Sequence, residues 1–216
     1  MRRTPQDVLS NFHWIIEQEA ARSSQGLGLF LGGILKRHGI RALVNLRGVH
    51  PKYRWWRNED RLCEREGIAH FDAMLDSRLL PTRAMLVALI EAFERAPRPL
   101  LVKCAGGQDR TSLAGAIFVL HRGGWSQRDN ARAQFSRSYL HFPKRGQKWL
   151  AAFPAYAEER ARGRPIGAWI REGYDPEDFA KWLTENNLAA GFSGIFSRWK
   201  PHQSKRRILS RLRRKQ

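Results

Sequence analysis

Residues 99–124, PLLVKCAGGQDRTSLAGAIFVLHRGG, change hydrophobic period once, and a reactive side chain stands at the change. Leu100, Leu101 and Val102 form an apolar run that suits a buried strand and is too short for a helix. From Thr111 onward, Leu113, Ile117 and Leu120, with small residues between them, predict a close-packing helix that Gly123 and Gly124 end. Cys104 closes the strand, and Ala105, Gly106, Gly107, Gln108, Asp109 and Arg110 make the connection. A buried strand that passes through a tight loop into a buried helix calls for an α/β chain.

A loop of small residues entering a helix turns several backbone N–H groups toward one point, where the helix dipole adds positive potential. That point suits a phosphate group, with residues 105–110 around it. Cys104 stands in the same field, which favours its thiolate, the nucleophilic form. Arg110 is placed to return its guanidinium to the rim and grip two phosphoryl oxygens in a fork, which a lysine does not do. The plain alternative is a core cysteine beside an ordinary turn. It leaves unexplained why Cys, paired Gly and Arg-Thr coincide at strand–loop–helix spacing.

The pattern C-x5-R-T after an apolar strand resembles the signature loop of the cysteine-dependent protein tyrosine and dual-specificity phosphatases. RSSQ at 22–25, GIRALVNLRG at 39–48 and a helical segment from Pro81 precede the loop as in compact bacterial and dual-specificity members. The resemblance covers about residues 10–160. It implies a compact α/β phosphatase fold, with a central, mostly parallel sheet flanked by helices and extra helices after it. It also implies hydrolysis of phosphate monoesters through a phosphocysteine, with neither metal nor other cofactor. Cys104 would attack phosphorus, Arg110 and the loop N–H groups would stabilise the equatorial oxygens, and Thr111 would hydrogen-bond the departing sulfur. The general acid of such enzymes is an aspartate on a loop after the preceding strand, which points to Asp76, directly after Leu75. Asp72 matches by its distance to the cysteine but falls within the strand, and Asp109 competes from inside the loop. Atypical members resemble this chain there: bacterial phosphatases with a GKDR loop, and the myotubularin and Sac phosphoinositide phosphatases. Two positions depart from the pattern, Lys103 where histidine is usual and Ser112 where glycine is usual. Lysine offers charge near the sulfur without an imidazole's hydrogen bonds. Alternatives are a rhodanese-type sulfurtransferase, whose loop lacks the C-x5-R-T spacing, and a phosphate-binding pseudophosphatase. An RNA 5′-triphosphatase of the same fold is a third.

Elsewhere residues 12–19 predict a strand leading into RSSQ, residues 26–35 a buried helix, residues 40–46 a buried strand and residues 53–65 an amphipathic helix. Residues 68–75 read as the next strand, ending before Asp76. Pro81 starts a helix with Met85, Leu86, Leu89, Ile90 and Phe93 on one face. Residues 126–141 and 144–161 read as helices, and Asp175-Pro176 as a further helix start. The expected division is a catalytic domain at 1–164, a helical extension at 165–190 and a basic amphipathic tail at 191–216.

The chain carries 39 basic and 20 acidic side chains, a net charge of +19, which favours anionic partners. Phe192, Ile195, Phe196 and Trp199 fall at helical spacing, and nine Lys/Arg with no acid follow from Arg198. That combination suits an interfacial helix on an anionic membrane surface. A docking helix with a solvated tail explains it equally, and no DNA-reading motif supports nucleic acid. The expected partner is a phosphorylated substrate, either a phosphoprotein or a phosphorylated lipid or sugar. Two cysteines without C-x-x-C spacing and scattered histidines suggest neither a disulfide framework nor a zinc site, and fit a reducing cytoplasm or its membrane face. A protective Cys63–Cys104 disulfide is the one pairing to consider.

Overall fold

The apolar run at 100–102 becomes the central strand β5 (Leu100–Cys104), buried along its whole length. The computed structural model describes residues 3–25, 30–189 and 193–196. After a short helix α1 (Pro5–Leu9), capped by Thr4, the sheet is built from β1 (His13–Ile16), β2 (Ala20–Ser24), β3 (Ala42–Asn45), β4 (Ala69–Asp72) and β5, in the order β1-β2-β5-β3-β4. Strands β2 and β3 flank β5 in parallel, β4 extends the parallel set, and β1 is antiparallel. Helices cover both faces of the parallel strands, so β5 reads as a continuous apolar run rather than an alternation.

Alternate residues serve two cores. Ala20, Val44, Leu100, Val102 and Cys104 face the larger one, with α4 (Arg83–Arg95), α5 (Asp109–Gly123) and α7 (Trp149–Ala161). Ala21, Leu43 and Leu101 face the smaller, formed with α2 (Leu31–Arg37) and Cys63 of α3 (Arg54–Arg65). Cys63 and Cys104 thus belong to separate clusters, and both are free thiols. The disulfide weighed from the sequence is not formed.

Residues 165–190 are helical, as α8 (Ile166–Glu172) and α9 (Pro176–Glu185). Trp169, Ile170, Phe179 and Leu183 lie in the larger core, and the Phe179 ring stacks on Tyr156 at 4.4 Å. In packing terms this extension and the preceding residues share one core.

Several local expectations are corrected. Residues 12–19 are not one strand: β1 ends at Ile16, and a turn returns the chain as β2, which takes in Arg22, Ser23 and Ser24. The helix expected at 126–141 is reduced to α6 (Arg128–Ala133), with 3-10 turns at Trp125–Gln127 and Arg137–Tyr139, where Leu140 takes a φ of 57° that no helix continues. The helix after Pro81 begins at Arg83, because the Thr82 side chain accepts the Met85 N–H as its cap. Residues 193–196 are extended rather than helical: Ile195 bridges Leu80, and Leu80 N–H donates to Gly194 O at 2.9 Å. Ile195 packs against the larger core, so this part of the aromatic stripe is used within the domain. Phe192, Trp199 and the basic residues from Arg198 lie outside the described residues.

Candidate active site

The β5–α5 connection lies at the carboxyl ends of β2, β5 and β3, where an open parallel sheet offers its crevice. Cys104 is 3% exposed, and its Sγ accepts the Gly107 N–H at 3.2 Å. Gly107 has a φ of 66°, and a Cβ there would meet the Ser24 nitrogen at 2.5 Å. Only glycine lets the loop lie so close to β2.

Loop carbonyls are tied back into the protein. Ala105 O accepts from Gln25 N–H at 3.0 Å, and Gly107 O from Asn11 Nδ2 at 2.9 Å and Arg22 Nη2 at 3.1 Å. Gln108 O accepts from Arg22 Nη2 at 3.0 Å, Ser112 N–H at 3.0 Å and Ser112 Oγ at 2.6 Å. In a planar trans peptide the N–H points opposite to the carbonyl, so fixing those oxygens beneath the loop turns the amides of Gly106, Gln108 and Asp109 outward. Among the described residues, the N–H groups of Ala105, Gly106, Gln108, Asp109 and Arg110 donate to no protein acceptor. Arg110, half-buried at the start of α5, has no ion-pair or hydrogen-bond partner among them either. The result is a ring of free donors beside a sulfur, suited to an oxyanion.

The Thr111 hydroxyl is engaged by neighbours other than the sulfur. Its hydroxyl donates to Gln108 O at 3.2 Å and accepts from Arg22 at 3.1 Å, which occupies the proton expected for the sulfur. Lys103 also departs from expectation: its ammonium forms a buried ion pair with Glu59 of α3, so its charge is met on the other side of the sheet. Burial pushes the Lys103 amine down, and Glu59 opposes that.

The three candidate acids differ in surroundings. Asp72 Oδ1 accepts from Asn45 Nδ2 at 2.7 Å and Trp56 Nε1 at 3.0 Å, which ties it to α3. Asp76 lies on the loop after β4, where its Oδ1 caps the Arg78 and Leu79 N–H groups at 2.7 and 3.0 Å. Asp109 accepts from Gln147 Nε2 at 2.9 Å and lies 3.2 Å from His141 Nδ1, and Gln147 reaches on to Ser77 at 3.4 Å. The loop bearing Asp76 and the start of α5 are therefore linked through Gln147.

Arg22 and Arg47, which no motif in the sequence singles out, both stand at the loop. Arg47 follows β3; its Nη1 donates to Gln25 Oε1 at 2.5 Å, and its guanidinium lies 3.7 Å over the Trp55 ring. Burial pushes its pKa down, and Arg110 adds to the shift while Cys104 opposes it, so it stands in the field of the loop. Position places it there: β3 lies parallel and adjacent to β5, so the residue after β3 emerges beside the cysteine loop.

The fold is shared with solved structures. The structure superposes on the core catalytic domain of the PP-IP phosphatase SIW14 from S. cerevisiae with a TM-score of 0.50, at 18% identity over 82% of this chain and 93% of that one. A putative phosphatase (DUF442) from Shewanella putrefaciens gives 0.51, at 16% identity over 68% and 93%. The chain has the protein-tyrosine-phosphatase-like fold. No family model matches the sequence, and a search of curated proteins finds no match. Among the described residues no helix is long and apolar enough to cross a membrane.

Proposed function

We propose that this chain is a cysteine-dependent phosphatase that hydrolyses phosphate monoesters of the protein tyrosine/dual-specificity type through a phosphocysteine. The observation that carries this reading is the loop itself: its carbonyls are tied beneath, its amides are free above, Arg110 is unpaired among the described residues, and the thiol of Cys104 is at its base. Cys104 attacks in line, an S–P bond forms and the P–O bond breaks, and the leaving oxygen takes a proton from a carboxylic acid, for which Asp76 is our assignment. Water then attacks phosphorus, the S–P bond breaks, the carboxylate takes a proton from that water, and inorganic phosphate leaves. Loop amides and Arg110 stabilise the charge on the equatorial oxygens throughout.

A substrate carrying further anionic groups, such as a phosphorylated lipid headgroup or inositol, is favoured by Arg47. Among the described residues no carboxylate lies within ion-pair distance of it, and the charge of Arg110 helps to lower its pKa. The basic residues from Arg198 onward would draw the enzyme to an anionic membrane.

Purified protein is assayed on an aryl phosphate, phosphotyrosine peptide, phosphoinositide vesicles and triphosphate-ended RNA. Cys104→Ser is expected to abolish turnover while keeping phosphate affinity; turnover by that variant overturns the reading. Preference for triphosphate-ended RNA would move the assignment to that alternative, and phosphate binding without turnover would mark a pseudophosphatase.

A further inference from the structure

Arg22, the one arginine within the described strands, is at 0% exposure in the middle of β2, opposite Val102 of β5. Every hydrogen-bond partner of its guanidinium is neutral. Nη1 donates to Gln134 O at 2.9 Å and approaches Gln134 Oε1 at 3.2 Å. Nη2 lies within reach of Gly107 O, Gln108 O, Thr111 Oγ1 and Ser112 Oγ, at 2.8 to 3.1 Å. Nε finds no acceptor among the described residues, and the Tyr139 ring covers the group at 4.4 Å. Burial brings its pKa down to about 10, with Tyr139, Cys104 and Asp109 opposing the fall, so it is a cation at neutral pH. A buried cation with no carboxylate beside it is costly, and an apolar side chain would fill the space more cheaply.

We infer that Arg22 is a positioning residue of the cradle: from beneath, it holds the Gly107 and Gln108 carbonyls down, so that the amides of Gln108 and Asp109 face the phosphate, and it supplies an unpaired positive charge under the loop. This rests on the phosphatase reading above. The chemistry follows from peptide planarity, because each carbonyl fixed beneath the loop fixes the next N–H above it. A single guanidinium reaches both carbonyls and both hydroxyls of Thr111 and Ser112; an ammonium is a point charge and cannot span them. Such charge has a further use here, since Lys103 is committed to Glu59.

The test compares Arg22→Lys and Arg22→Met with wild type by thermal melting, by kcat and KM on an aryl phosphate, and by titration with inorganic phosphate. The Met variant is expected to lose about a hundredfold in kcat, the scale for losing an oxyanion donor, and at least about tenfold in phosphate affinity. The Lys variant is expected to recover part of the phosphate affinity, because charge returns, and little of kcat, because the fork does not. Folded variants within about threefold of wild type in both quantities overturn the inference. So does failure of both to fold, since the residue would then serve the fold before the site. If wild type binds inorganic phosphate but turns over no substrate, the phosphatase reading fails while the titration still decides the role of Arg22.

Discussion

The ammonium of Lys103 meets the carboxylate of Glu59, on the face of the sheet opposite the core that holds the thiol of Cys104. Both side chains are buried, and Glu59 also takes His70 Nε2 at 3.1 Å. A buried pair gains little over an apolar pair, whereas a buried charge left alone is expensive. Glu59→Gln is expected to lower stability by about 3–5 kcal/mol. The double variant Glu59→Leu with Lys103→Met should recover most of it. Urea denaturation of both variants checks this; equal losses would mean that the unpaired ammonium is not what destabilises the single variant.

His70 makes stability depend on pH. Burial alone would lower its pKa, yet contacts with Asp60 at 3.2 Å and Glu59 at 3.1 Å outweigh it and bring it to about 9. A folded value above the unfolded one of about 6.5 gives stability that is fully present below that pH and lost as pH rises through about 9. The contribution is on the order of 3 kcal/mol. His13 works in the opposite sense: burial, with Arg3 and Arg22 nearby, holds it at about 4, so its cost falls on the acid side. Unfolding free energies at pH 7 and pH 9.5, compared between wild type and His70→Asn, check this: the fall in stability over that range should be smaller in the variant.

Two neighbouring glycines should respond differently. Gly107→Ala places a Cβ against the β2 backbone at a φ of 66°, a conformation costing about 1–3 kcal/mol in strain alone. Gly106→Ala would meet only the Gln108 side chain, at 3.5 Å. The first variant should lose most of its turnover and the second keep most of it; steady-state rates on an aryl phosphate distinguish them.

Some of this was legible in the sequence and some was not, for physical reasons. β5 and α5 could be read because burial on every side leaves an unbroken apolar run, and the residues joining them stand together in the chain. β2 was hidden: Ala20 and Ala21 carry little hydrophobic signal, and Arg22 looks like a loop residue until the carbonyls it holds are known. The roles of Lys103 and Thr111 depend on partners elsewhere, Glu59 and Arg22, that spacing does not reveal. The extended course of residues 193–196 was invisible for the same reason, because it is set by Leu80 rather than by local periodicity.

The proton donor can be decided among Asp72, Asp76 and Asp109 by their constraints. Asp72 is held by Asn45 and Trp56 on the α3 side, so Asp72→Asn should act on stability and slow good and poor leaving groups alike. Asp109 accepts from Gln147, and its Asn variant should disturb the link to Ser77 and the start of α5, again without regard to leaving group. Asp76 alone of the three lies on the loop after β4, with one oxygen capping the turn and the other without a hydrogen-bond partner among the described residues. That loop is fixed downstream, where Ser193 N–H donates to Arg78 O at 2.9 Å and Phe196 N–H to Leu80 O at 3.0 Å. A proton donor matters most when the leaving oxygen is basic, so Asp76→Asn should cost about a hundredfold more on an alkyl phosphate than on p-nitrophenyl phosphate. Equal losses on the two substrates would remove Asp76 from the role. Deleting residues 193–216 should weaken the same discrimination in a smaller degree, because the strap that holds the loop goes with them.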